Sequence, residues 1–407
     1  MTKKFVAREN QVIALISSGH FFSHFFILVL PPLFPLMKQE FGVSYTMLGG
    51  ISAIYAASSG LSQYPIGYLS DRLGARAFLI GGLTIISLAF IAMGFTNSIS
   101  AFYALAIIAG LADGVFHPCD YTILTAAVDK ARAGRAYAIH AFGGFSGFAI
   151  APMVMVPLAT IWGWQYAVIT GGLAGLLAAI ILLINFSKLA TANTQKSDAS
   201  KPQQKTSARA ILTSLPLLFM FGFYVFSSMA NMGITTHAVS ALIEITGLSF
   251  ASVSAILPAY LWGIAAGILA GGYVADYIRR LEVTACLGTF ASSIILLMIA
   301  LVHLPLALLI AAFFLTGFAY GSTLASRDVV VRAVSPHDAI GQAFGFVNTG
   351  YGVGSAIGPI LVGWILDQGM LQTALLVPAF LFFMSMVFTA TALKASTPHS
   401  AKELAAS

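Results

Sequence analysis

The sequence predicts an all-α membrane protein with twelve transmembrane helices in two pseudo-symmetric six-helix bundles. Three observations predict it: a scarcity of charge, a regular series of long apolar runs, and a set of motifs that recurs at nearly one offset halfway along the chain. Of 407 residues, 58% are hydrophobic and only 8% are charged. Soluble domains carry about 25% charged residues, and so few charges could not cover a soluble surface of this size. A surface facing lipid needs none.

One crossing of a bilayer takes about 20 apolar residues. Twelve stretches qualify, near 12–37, 45–69, 77–96, 101–127, 136–161, 165–187, 210–236, 248–274, 282–302, 305–328, 340–366 and 371–393. They are too long and too uniformly apolar for the alternating strands of a membrane barrel. Pro31-Pro32, Pro65, Pro118, Pro152 and Pro258 interrupt several of them. Membrane helices tolerate this where neighbours satisfy the freed backbone groups. The leading Met1-Thr2-Lys3-Lys4 enters the first run without a small-residue cleavage site, so the first helix is expected to be retained. Cys119 and Cys286 lie inside apolar runs and suggest neither a disulfide framework nor a zinc ribbon.

Residues 188–209 are polar, with five Lys and Arg, and read as a linker between bundles at 1–187 and 210–407. The basic residues also set orientation. With the N-terminus in the cytoplasm, Lys38 is the one basic residue in an outside loop, and Arg327 lies within a helix end. The others face the cytoplasm. This predicts an inner-membrane, multi-pass protein with both termini cytoplasmic. It accounts for the pI near 9.3 and removes a nucleic-acid partner from consideration.

The halves repeat each other. Gly134 to Pro152 reads GRAYAIHAFGGFSGFAIAP, and Gly341 to Pro359 reads GQAFGFVNTGYGVGSAIGP. Ala136, Gly143 and Gly147 recur as Ala343, Gly350 and Gly354, an offset of 343 − 136 = 207. The same offset pairs Gly110 and Gly114 with Gly317 and Gly321. A second patch joins Gly67, Tyr68 and Asp71 to Gly272, Tyr273 and Asp276 at 272 − 67 = 205. Several ordered patches at nearly one offset mean duplication of a six-helix unit.

The run Gly67-Tyr68-Leu69-Ser70-Asp71-Arg72-Leu73-Gly74-Ala75-Arg76 resembles the loop between helices 2 and 3 of the major facilitator superfamily. Gly272 to Arg280 is its weaker echo in the second half. The resemblance spans the chain and implies the major facilitator fold, with helices 1, 4, 7 and 10 around a central cavity. It implies a conformational-switch loop of Gly67, Asp71, Arg72, Arg76 and Asp276, with close helix contact at Gly67 and an acceptor or ion-pair role for Asp71. Gly110 to Pro118 and Gly143 to Pro152 are similar to fosmidomycin-resistance-like members. Ala106 and the Ala151-Pro152-Met153 segment depart from the pattern of many drug–proton antiporters.

Ionisable groups inside a span are costly and point to function. Asp113, His117 and Asp120 share one helical face through spacings of four and three, and His20 and His24 lie one turn apart. Arg327 and Asp328 sit on the tenth span. His24 and Asp113 count to the midplane, where carriers hold solute and coupling ions. His20, His24, Asp113 and His117 are therefore the expected proton-coupling and solute-binding group, against the bland reading of hydrogen bonds between helices. Asp113 is expected to be unpaired. Tyr55, Tyr224, Asn348 and Tyr351 are further candidates for solute contact, as are Gln63, Asn231 and His237. Asp120 and Arg327 are equivalent by 120 + 207 = 327. They carry opposite charges, so they are the expected cytoplasmic gate, with Asp328 as a local competitor for Arg327.

The expected function is a proton-coupled secondary active transporter of a small organic solute, an organic anion being one option, working as a monomer by alternating access. Neither an enzyme signature nor a phosphate-binding loop is present, so no cofactor and no resident metal are expected. The alternatives are a drug efflux antiporter, and a divalent metal-ion carrier using His20, His24, Asp113 and His117. A channel is the second class, disfavoured by the duplicated halves and the lack of a filter-like loop.

Overall fold

The structure, a computed structural model, describes residues 3–129, 132–189, 208–277, 281–336 and 339–395. It is helical, and no strand occurs among the described residues. The helices are α1 (Lys3–Ile27), α2 (Phe34–Phe41), α3 (Tyr45–Leu73), α4 (Ala75–Gly94), α5 (Ile99–Asp113), α6 (Phe116–Ala127), α7 (Ala133–Trp162), α8 (Trp164–Ile184), α9 (Ala208–Leu212), α10 (Leu215–Thr246), α11 (Phe250–Val253), α12 (Ile256–Tyr277), α13 (Leu281–Leu301), α14 (Leu306–Val334), α15 (Ile340–Asp367) and α16 (Thr373–Ala395). Each of the twelve apolar runs coincides with one helix or one broken helix. Eleven described segments are long and apolar enough to cross a membrane. The 29-residue α3 is the less apolar twelfth, because Ser, Gln and its terminal charges dilute it.

The chain divides into two compact units, residues 1–43 with 50–199, and residues 44–49 with 200–407. The division near 199 falls inside the expected linker, most of which (190–207) lies outside the described residues. In the first unit α1 packs on α6 and α7, and α4 packs on α5, α6 and α8. In the second, α10 packs on α15 and α16, α12 on α14, and α13 on α14 and α16.

The repeated glycines mark equivalent packing points in the two units. A Cβ on Gly147 would collide with the carbonyl oxygen of Phe21, and one on Gly354 with that of Val225. Gly110 meets the Tyr55 carbonyl, and Gly317 meets that of Tyr260. Without a side chain, the backbones of α1 and α7, or of α10 and α15, approach closely enough for dense van der Waals contact. In lipid that contact replaces the hydrophobic force as the source of helix association. The alignment is 354 − 147 = 207 on the glycine side and 225 − 21 = 204 on the facing helix.

The units differ in continuity. The first span is broken after Ile27, where a short 3-10 turn at Pro31–Leu33 precedes α2, while its copy α10 runs unbroken for 32 residues. Pro31 and Pro32 correspond to Thr235 and Thr236 by 31 + 204 and 32 + 204. The fourth span breaks between Asp113 and Phe116, while its copy α14 is continuous over 29 residues. Pro118 corresponds to Ala325 by 118 + 207. A proline has no N–H for the carbonyl four residues back and its ring crowds that carbonyl, so both breaks follow from proline in the first copy.

Ends are set locally. α2 closes on Gly42 at φ +63° and α10 closes on Gly247 at φ +65°. Each glycine N–H donates to the carbonyl four residues back, Lys38 or Ile243, at 3.0 and 2.9 Å. Only glycine adopts this left-handed cap without strain. Residues 44–49 belong with the second unit, where Asp367 at the end of α15 accepts from the N–H groups of Tyr45 and Thr46, each at 2.8 Å. That carboxylate satisfies donors that the first turn of α3 cannot pair internally.

Candidate functional site

The first unit gathers polar groups around the break in the fourth span. Asp113 is the last residue of α5 and is 8% exposed. The Ser23 hydroxyl on α1 donates to its Oδ1 at 2.7 Å, and the Ser59 hydroxyl on α3 donates to its Oδ2 at 2.7 Å. The expectation of an unpaired carboxylate is corrected here: two hydroxyls from two helices hold Asp113. Each such bond to a charged acceptor contributes about 1.5–3 kcal/mol. The buried Tyr55 ring lies on the same helix as Ser59, one turn earlier.

Four imidazoles cluster beside it. His20 is at the centre, with ring centroids 3.9 Å from His140, 4.4 Å from His24 and 5.2 Å from His117. His20 and His140 are buried, His24 is half-buried and His117 is exposed. Phe148 covers His24 at 4.2 Å between centroids. Gly144 makes room for the cluster, since a Cβ there would lie 2.6 Å from His20 Cδ2 and 3.1 Å from His24 Cε1.

Asp120 on α6 is fully buried, with Oδ2 at 3.4 Å from His20 Nδ1 and 3.7 Å from His140 Nε2. Neither of its oxygens has a hydrogen-bond partner among the described residues. The divalent-cation set drawn from sequence is corrected accordingly. Asp113 is occupied by serines, and the ligand atoms that converge belong to His20, Asp120 and His140. His140 on α7 was not singled out by sequence reasoning. A signal existed, for the repeat places Val347 at 140 + 207, so one copy carries imidazole where the other carries an aliphatic side chain.

The equivalent place in the second unit has different chemistry. Tyr224 corresponds to His20 by 20 + 204, and Arg327 corresponds to Asp120. The Arg327 guanidinium lies 4.5 Å from the Tyr224 ring centroid and its Nε is 3.3 Å from Asp328 Oδ1. Tyr224 donates to the same oxygen at 2.6 Å. By the offset Asp120 and Arg327 are equivalent positions, and the described charged neighbours of each lie within its own unit. Among the described residues, the buried Arg327 Nη1 has no hydrogen-bond partner.

Three of the other candidates join helices through hydrogen bonds. The Ser228 hydroxyl donates to the Tyr351 carbonyl at 2.9 Å, Tyr260 donates to Asn231 at 2.9 Å, and His237 Nε2 donates to the Pro359 carbonyl at 2.9 Å. Gln63 is half-buried and Asn348 is exposed. At the expected switch loop between α3 and α4, Arg72 stacks on Tyr68 and Arg76 stacks on Phe186, both at 4.2 Å. A Cβ on Gly67 would meet Pro118 at 3.5 Å, an ordinary contact. Gly74 takes φ +102° between α3 and α4, which explains a glycine there. The side chains of Asp71 and Asp276 lie outside the described residues.

Two duplicated six-helix units, with polar groups sunk between apolar helices, define a polytopic membrane transporter. The Major Facilitator Superfamily model matches residues 16–239 and 222–407, and the chain belongs to that family. It is 25% identical over 390 residues to the fosmidomycin resistance protein of Escherichia coli (strain K12), covering 92% of this chain and 91% of that protein. It is 23% identical over 359 residues to the hexuronate transporter of Bacillus subtilis (strain 168), covering 82% of each. Among solved structures, a bacterial homologue of the human lysosomal transporter Spinster, inward-facing and occupied, superposes with a TM-score of 0.76 at 14% identity. That match covers 98% of this chain and 100% of that one. It is a likeness of fold.

Proposed function

We propose that this transporter is a proton-coupled carrier of a small organic solute, working by alternating access in the inner membrane with both termini cytoplasmic. The observation that carries the reading is Asp113 at the break in the fourth span, held by hydroxyls instead of a cation. Discontinuous helices hold solute and coupling ions in carriers, because a break frees backbone groups inside the membrane. A carboxylate with neutral partners has no fixed countercharge, so protonation changes the net charge of the site. Its counterpart by 113 + 207 is Tyr320, so the second unit has no equivalent carboxylate. Coupling is therefore assigned to one half.

The His24 and His117 edges, less buried than His20, supply donors and acceptors for a polar solute. Arg327 Nη1 supplies an unpartnered donor in the second unit, which favours an organic anion. The name of the hexuronate relative points the same way. An efflux direction is the second reading, favoured by the fosmidomycin-resistance relative.

The test is Asp113→Asn in proteoliposomes, with a solute found by thermal-shift screening of organic acids, amines and drugs. The variant is expected to lose accumulation driven by a pH gradient while retaining solute exchange. Normal accumulation by the variant would sink the coupling role.

A further inference from the structure

We propose that His20, Asp120 and His140 form a binding site for one divalent transition-metal ion of the zinc class, linking α1, α6 and α7. The ligand atoms all lie within 4.8 Å of one another. The two described contacts to Asp120 Oδ2, at 3.4 and 3.7 Å, are longer than an ordinary N–H···O bond of about 2.7–3.2 Å. They are close to the separation of about 3.3 Å between neighbouring ligand atoms around a tetrahedral zinc with bonds of about 2.0–2.1 Å. The three groups are close enough to share one ion once the His20 and His140 rings, stacked at 3.9 Å with 24° between their planes, rotate so that their nitrogens converge.

The second observation is independent of spacing. Asp120 is 0% exposed, and among the described residues both its oxygens lack a hydrogen-bond partner, as do His20 Nδ1 and both ring nitrogens of His140. Leaving one buried polar group unsatisfied is costly, and three such side chains with five unpaired atoms in one place call for an occupant. Its described ion-pair contacts are to these two histidines alone, with no Lys or Arg. A divalent cation satisfies the carboxylate and the imidazoles together.

The donor set selects the ion. Two imidazoles and one carboxylate suit zinc, cobalt or nickel and suit magnesium or calcium poorly. Three protein ligands leave a fourth position open, as in zinc sites that keep a water or an exchangeable ligand. His117, 5.2 Å from His20 between ring centroids, is the exposed imidazole of the cluster. This inference stands apart from the proposed solute and from coupling at Asp113, because its readout is metal binding and not transport.

The experiment uses the full chain in detergent, with His303, His337 and His399 replaced by alanine so that their imidazoles cannot contribute to the zinc count. Zinc is titrated against a fluorescent chelator, magnesium serves as a control, and cobalt spectra report geometry. One zinc per chain, tetrahedral cobalt bands and no competition by magnesium are expected. His140→Val, which copies the residue of the second half, should weaken zinc binding on the order of 100-fold or more, since losing even a group that only orients a ligand costs about 10–100-fold. His140→Cys supplies a thiolate and should restore most of the affinity while the zinc-free melting temperatures of the two variants agree. Absence of zinc binding by the parent would overturn the proposal. So would unchanged binding in both His140→Val and Asp120→Asn.

Discussion

At the residue scale, Ser23 and Ser59 separate Asp113 from an isolated buried carboxylate. Removing one hydroxyl leaves a buried acceptor short of a partner, which costs about 1–3 kcal/mol. Ser59→Ala is therefore expected to lower the melting temperature in detergent by several degrees. Ser62→Ala, which loses only a bond to the Ser59 carbonyl at 3.0 Å, should change it little. Equal melting of the two variants would show that the Ser59 bond contributes nothing. Gly144→Val tests the room left for the histidines. A branched side chain there displaces the His20 and His24 rings, so transport should fall about 10-fold or more while the purified protein stays monodisperse, a cost typical of small misplacements in a site. Asp113 was legible in sequence because a carboxylate within an apolar run is conspicuous. Its serine partners were not, because serine is common in membrane helices and the pairings span 90 and 54 residues.

At the element scale, the two broken spans are the lesson of the repeat. Pro118 in the first turn of α6 corresponds to Ala325 in the unbroken α14. Pro118→Ala should let α5 and α6 join. A proline inside a helix costs about 3 kcal/mol, so the variant should melt at the same or a higher temperature. Transport should nevertheless fall about 10-fold, because joining the helices moves Asp113. Full activity in a more stable variant would separate the break from function. The paired glycines give the complementary prediction. Gly147→Leu and Gly354→Leu place a side chain against a facing backbone and should each abolish a monodisperse peak in size-exclusion chromatography. Gly60→Leu and Gly345→Leu, where a Cβ meets nothing within 4 Å, should be tolerated. Helix number and order were legible from apolar length. Ends were not, since α1 begins at Lys3 and α10 runs to Thr246. Those extensions carry residues such as Arg8, Glu9, His237 and Glu244, which apolar counting excludes. Glu9 is nonetheless buried, accepting from the Asp129 N–H at 2.8 Å and pairing with Arg132.

At the scale of the whole molecule, the duplication was readable because glycine spacing survives where other side chains change. Close backbone approach excludes every larger residue, whereas the polar cluster diverged freely between the copies. His20 and Tyr224, Asp113 and Tyr320, and Asp120 and Arg327 occupy equivalent positions with unlike chemistry. Orientation has its own test. In a chain lacking Cys119 and Cys286, a cysteine in place of the exposed Asn97 should react with an impermeant thiol reagent added to intact cells, and one in place of the exposed Ser187 should not. The reverse pattern would invert the assigned topology. The central claim, that the chain is a carrier, is tested most directly by counterflow. Proteoliposomes preloaded with the unlabelled solute from the thermal-shift screen are diluted into trace labelled solute with no ion gradient. A carrier predicts a transient overshoot of label inside, followed by decay to equilibrium. Monotonic equilibration without overshoot, accompanied by an ohmic current, would contradict the account.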